Sequence, residues 1–126
     1  MLPIIEKIRK TVEGPIAAIP VPYNTTKTYP TFQSFKKDGR KVNYLEIESF
    51  LCTRFEIAEF AKKVKAIGVD YIGLCCGASP YHFRALAEAL GRNTLASKYS
   101  PVMELHPMLG DKIRVKDKKV VKAWKE

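Results

Sequence analysis

Gly68-Val69-Asp70-Tyr71-Ile72-Gly73-Leu74-Cys75-Cys76-Gly77 runs from the end of one helix to the start of the next. Val69 to Leu74 is short and largely apolar, the pattern of a buried strand. It ends in two adjacent cysteines and a glycine. Neighbouring side chains on a regular strand point to opposite faces, so both sulfurs can serve one ion only if the backbone turns there. Gly77 supplies that freedom. Spacing alone leaves two readings open, a metal-binding pair and two ordinary core cysteines.

The flanks are helical. Upstream, Thr53-Arg54-Phe55-Glu56 has the spacing of a capping box, in which hydroxyl and carboxylate satisfy free backbone N–H groups. Ile57, Phe60, Ala61 and Val64 form an apolar stripe, and Gly68 closes the helix. Downstream, Ser79-Pro80 opens the next helix, with serine as cap and proline at the first helical position. Phe83, Leu86, Ala87 and Leu90 are its expected buried stripe, and Gly91 ends it.

Further upstream, Ile4, Ile5, Ile8 and Val12 recur at helical spacing before Gly14-Pro15 stops the helix. Ile16-Ala17-Ala18-Ile19-Pro20-Val21 then suits a strand buried on both faces, confined to its first residues by Pro20 and Pro22. Asn24 to about Tyr44 is polar and reads as a long loop, of the length that is often functional or disordered; a solvent-exposed excursion is its plain alternative. Leu45, Ile47, Phe50 and Leu51 indicate a short, partly buried element. Helices alternating with internal strands define an α/β chain with a parallel sheet. Two such strands do not bury a sheet alone, so more strands are expected from elsewhere in the protein or from another chain.

Composition agrees with a soluble globular protein. The 126 residues are 46% hydrophobic and 28% charged. No apolar run approaches the ~20 residues of a membrane span. The first residues lack the pattern of a signal peptide, and three cysteines make no disulfide framework. A cytoplasmic location follows as the expectation. The net charge of +9 raises a nucleic-acid reading. However, Lys112, Arg114, Lys116, Lys118, Lys119, Lys122 and Lys125 crowd the last fifteen positions, which is the pattern of a solvated tail.

The run from Gly68 to Glu88, with Gly73-Leu74-Cys75-Cys76-Gly77 at its centre, resembles the last barrel strand and helix of homocysteine S-methyltransferases, the betaine-using type most of all. Ile19-Pro20-Val21-Pro22-Tyr23-Asn24-Thr25 and Cys52-Thr53-Arg54-Phe55-Glu56-Ile57 resemble the preceding strand and helix. The likeness covers about residues 3–91. It implies a (β/α)8 TIM barrel, of which residues 1–91 form roughly the last quarter, followed by a C-terminal extension over 92–126. It also implies a catalytic Zn2+ held by three thiolates, two of them Cys75 and Cys76, with homocysteine sulfur in the fourth position. Zinc favours thiolates, and catalytic sites keep one position open.

The implied partners are homocysteine and a methyl donor, betaine first, with oligomerisation possible in the intact enzyme. Two features depart from the family pattern. Leu74 stands where a second glycine is usual and adds bulk beside the cysteines. The third zinc cysteine of the family lies upstream of the first helix and has no counterpart here, so the chain alone is expected to be inactive. Cys52, at a helix start, is expected at the end of the barrel away from the site, as a structural cysteine. His82 is assigned a capping or packing role, and Tyr23 and Asn24 are candidates to line the substrate pocket. Three rivals stand beside this reading: a same-fold enzyme using S-methylmethionine or a folate, a module in which two chains share one zinc through four cysteines, and a nucleic-acid binder acting through the basic tail.

Overall fold

A computed structural model describes residues 1–43, 45–106 and 110. Tyr44 and the basic cluster beyond residue 110 lie outside the described residues. The chain divides into two units, Met1–Thr94 and Leu95–Glu126.

The first unit has the α/β order read from the sequence. Helix α1 is Leu2–Thr11, strand β1 is Ala17–Ala18, α2 is Arg54–Ile67, β4 is Tyr71–Ile72 and α3 is Pro80–Ala89. Strands β1 and β4 pair in parallel, Ala17 with Tyr71 and Ala18 with Ile72. Single backbone bonds extend the ladder at both ends: Asp70 and Tyr71 donate to Ile16, Gly73 to Ala18, and Cys75 to Pro20. Pro20 cannot donate, so the strand stops there, yet its carbonyl still accepts at 2.8 Å and carries the pairing up to the first cysteine.

Helix α2 is the centre of packing. Its capping box forms as expected: the Glu56 N–H reaches the Thr53 hydroxyl at 3.3 Å and the Thr53 N–H reaches the Glu56 carboxylate at 2.7 Å. One side of the helix, through Val64, packs with Ile5, Ile16, Ala18 and Val69; the other, through Ile57 and Ala61, packs with Leu74 and Leu86. At the far end Arg9 donates to the carbonyls of Val12, Gly14 and Gly68 and lies 3.9 Å from Asp70, whose carboxylate accepts the Ile16 N–H.

Three sequence expectations are corrected. The strands are buried on one face only: Ile16 and Ala18 are buried, whereas Ala17 is exposed, Ile19 is 51% exposed and Tyr71 64%. The helices cover one side of the ribbon, and nothing among the described residues closes the other. On α3 the buried residues are His82, Ala85 and Leu86, with Phe83 turned outward. On α1 only Ile5 is buried, because the face meeting the strands runs through Leu2 and Ile5 while Ile4 and Ile8 look out.

The polar stretch after Asn24 is not a plain excursion. It holds a short 3-10 turn at Phe32–Ser34 and a two-residue hairpin, β2 (Lys36–Lys37) against β3 (Arg40–Lys41). Asp38 and Gly39 form its tip, both with positive φ. Arg40 and Glu46 make a two-pronged ion pair whose hydrogen bonds, ahead of Coulomb attraction, lower the Glu46 carboxyl to about 2. Phe35 is 1% exposed and stacks on Phe50 with ring centroids 4.3 Å apart. The second 3-10 turn, Ile47–Phe50, brings Phe50 there. The second unit contributes 3-10 turns at Leu95–Tyr99 and Met103–Leu105.

Two outcomes follow. Truncating Phe35→Ala should cost about 3 kcal/mol, the usual loss for a buried phenylalanine, and should expose residues 24–50 to limited proteolysis before the helices. The Glu56 carboxyl is held below its ordinary value, first by the Thr53 N–H and then by the Thr53 hydroxyl. Its stabilising contribution is therefore full above the unfolded carboxylate value and lost as pH falls through the depressed folded one. The melting-temperature advantage of the wild type over Glu56→Gln should accordingly shrink steadily on acidification below about pH 4.5.

Candidate functional site

The site is the point where the ladder ends. The Cys75 N–H is tied to Pro20, and the Ala78 N–H turns back to the Cys75 carbonyl at 3.2 Å, so the backbone reverses directly after the pair. Gly77 sits at φ +89°, in the left-handed region. The turn sets the two sulfurs 3.5 Å apart, exposed and free of any disulfide. Two thiolates at ~2.3 Å from a tetrahedral zinc stand about 3.8 Å apart. The observed separation therefore suits shared coordination with little movement. Among the described residues, no group of three or more His, Cys, Asp or Glu side chains is placed to hold a metal.

Tyr23 reaches the same turn. A Cβ on Gly77 would lie 2.3 Å from the Tyr23 Oη and 2.7 Å from its Cζ. Glycine is therefore required twice at this position, by backbone conformation and by the tyrosine packed against it. The Tyr23 ring in turn rests on the aromatic cluster of the loop, 5.6 Å from Phe32 and edge-on to Phe35 at 6.4 Å. Asn24 is directed elsewhere. Its amide reaches Glu56 at 3.4 Å, and its side-chain oxygen accepts from the Cys52 thiol at 3.5 Å. Leu74 points into the core beside Ile57, Ala61 and Leu86, so its bulk falls on the helix side of the strand.

The expected placing of Cys52 is wrong. The residue lies at the same end as Cys75 and Cys76: its N–H donates to Pro22 at 2.8 Å, and Leu51 bridges to Tyr23. The reason is topological. In an α/β unit a helix starts at the end where the preceding strand finishes, so a residue beside a helix N-terminus shares the site end. Burial, followed by the nearby Glu56 charge, raises the Cys52 thiol above its ordinary value, which favours the protonated form over a metal-binding thiolate.

His82 is fully buried. Its Nδ1 accepts the Ser79 N–H at 3.0 Å, which leaves Nε2 to carry the proton and donate to the Cys52 carbonyl at 2.7 Å. With both ring nitrogens engaged, the residue caps α3, one of the two roles expected for it. Its reach across to Cys52 was not visible in the sequence. Glu48, Leu51, Cys52, Thr53, Ser79 and Tyr81 line an open cleft of about 400 Å3 at this end.

Comparison with known proteins places the chain beside one class, enzymes that methylate homocysteine on sulfur. S-methylmethionine–homocysteine S-methyltransferase of Rattus norvegicus is 35% identical over 77 residues, 61% of this chain and 21% of that protein. Betaine–homocysteine S-methyltransferase 1 of Pongo abelii is 35% identical over 93 residues, 68% of this chain and 22% of that protein. The Rattus norvegicus betaine enzyme reaches 48% over 44 residues, 35% of this chain and 11% of that protein. The resemblance read from the cysteine stretch is thus found again: the chain is similar to betaine- and S-methylmethionine-using homocysteine methyltransferases. It spans about a fifth of the length of these curated relatives. No family model matches the chain.

Contact between Tyr23 and Gly77 can be measured as a coupling. Gly77→Ala should destabilise the chain through both strain and clash. In a Tyr23→Ala background the clash is gone and the cost should fall by on the order of 1 kcal/mol, read from urea unfolding of the four variants.

Proposed function

We propose that this chain supplies part of the active site of a zinc-dependent homocysteine S-methyltransferase, which moves a methyl group from betaine to homocysteine and yields methionine. The observation that supports this most is the pairing of Cys75 and Cys76. Their sulfurs are exposed and 3.5 Å apart at the C-terminal end of a parallel strand, in a chain similar to betaine–homocysteine S-methyltransferase. The C-terminal ends of parallel strands are where α/β folds gather their chemistry.

In this reading residues 1–91 are the closing quarter of a (β/α)8 barrel in a cytoplasmic enzyme, and residues 92–126 extend from it. The one-sided burial of β1 and β4 supports it, since inward-facing barrel positions are covered by strands from the rest of the barrel. Cys75 and Cys76 would hold Zn2+ as thiolates, and the third thiolate would come from outside this stretch. Bound zinc supplies Lewis acidity that favours the thiolate form of a ligating substrate sulfur near neutral pH. The chain's own residues orient the pair: Pro20 holds Cys75 through its backbone, Gly77 turns the chain, and Tyr23 walls one side of the turn. Asn24 would act at one remove, through Cys52 and the α2 cap.

S-methylmethionine is the second donor to consider, because three of the similar proteins carry it in their names. Betaine and S-methylmethionine share a methyl group on a positively charged atom, so one thiolate nucleophile serves either.

Zinc titration of the purified chain against a chromophoric chelator tests the metal assignment. Cys75→Ser and Cys76→Ser should each weaken binding by more than the 10–100-fold typical of losing a ligand's supporting contact, whereas Cys52→Ser should leave it within about twofold. Equal binding by all three variants would remove the pair from the metal. The same preparation, given zinc, homocysteine and methyl-labelled betaine, should form no methionine; turnover by the chain alone would refute its role as one part of a larger site.

A further inference from the structure

We infer that His82 is a positioning residue for the cysteine pair, the link that closes a ring of contacts around the Cys75–Gly77 turn. The ring can be followed bond by bond. The Nε2–H of His82 donates to the Cys52 carbonyl at 2.7 Å. The Cys52 N–H donates to the Pro22 carbonyl at 2.8 Å, and Leu51 bridges to Tyr23. The Tyr23 hydroxyl stands against Gly77, at the end of the turn that carries both sulfurs. Two residues on, the Ser79 N–H returns to the Nδ1 of His82. Cys75 is anchored inside the ring by its own bond to Pro20.

Two parts of the chain therefore meet at the site end: the base of the aromatic loop, whose departing end brings Tyr23 and whose returning end brings Cys52, and the turn into α3, which brings the thiols. The His82 imidazole hydrogen-bonds to both. It is fully buried, its two nitrogens are spent on fixed backbone partners, and its ring packs against Tyr81 with centroids 4.1 Å apart. Such a group has no capacity left for a metal or substrate, but it sets the distance between the two segments. Buried polar groups with every partner satisfied hold a single arrangement more strictly than apolar contacts do. Supporting contacts of this kind commonly govern how tightly a ligand set grips its ion.

The inference rests on the metal reading of Cys75 and Cys76, and cobalt binding separates the two. Cobalt gives a thiolate charge-transfer band that can be titrated in the folded chain. His82→Gln can keep both bonds, its carboxamide oxygen accepting from Ser79 and its nitrogen donating to Cys52. His82→Asn is too short to span both and breaks the ring with a small change in volume; His82→Leu removes both bonds. Cobalt affinity should stay within about threefold of wild type in His82→Gln and fall about 10–100-fold in His82→Asn and His82→Leu, with faster amide exchange at Cys52 and Ser79. If His82→Leu does not fold, the His82→Asn and His82→Gln pair decides. Wild-type affinity in a folded His82→Asn chain would overturn the inference, and so would a loss in His82→Gln as large as in His82→Asn. A wild-type chain with no thiolate–cobalt band would instead defeat the metal reading itself.

Discussion

The parallel ladder between Ile16–Pro20 and Asp70–Cys75 is the constraint on which the first unit depends. It joins segments more than fifty residues apart, and both halves are too short to be strands on their own. What keeps them together is α2, whose Val64 side seals the strands against α1 and whose Ala61 side seals Leu74 against α3. The ladder also aims the chemistry. Its last bond, from Cys75 to the Pro20 carbonyl, fixes where the thiols emerge, and a proline that cannot donate sets where the strand stops. Structure and site are thus ended by the same residue.

The two ends of this unit are held by different means. At the start of the strands Arg9 gathers three carbonyls and the Asp70 carboxylate in one charged clamp, largely open to solvent. At the finish the bonds through His82 are partly buried and join side chain to backbone, and the walls are aromatic, through Tyr23, Phe32, Phe35 and Phe50. A charged clamp in water tolerates adjustment and is weakened by salt. A buried ring of satisfied bonds does not adjust without loss. The second kind surrounds the cysteine pair, whose sulfurs stand 3.5 Å apart.

One face of the ribbon remains open, with Ile19 and Tyr71 looking outward. Helix α1 likewise turns Ile4 and Ile8 away from the core. Apolar positions that the sequence pattern marks as interior are thus left uncovered by the described residues, in a chain that spans about a fifth of the length of its relatives.

The sequence by itself determined the element order, the capping box at Thr53, the serine cap at Ser79, and the meeting of a strand end with two cysteines and a glycine. These are local matters, governed by spacing within a few residues, and the structure contains all of them. Family likeness was legible for the same reason, since its motif is one unbroken run. Only the tertiary structure decided the rest. It put Cys52 at the site end, because the sense of a helix relative to its strand is a property of the whole α/β unit. It turned the polar stretch after Asn24 into a small aromatic core, because Phe35 and Phe50 are fifteen residues apart and meet only when the hairpin and the Ile47–Phe50 turn fold over each other. And it gave His82 a second partner thirty residues away, a contact for which spacing carries no signal.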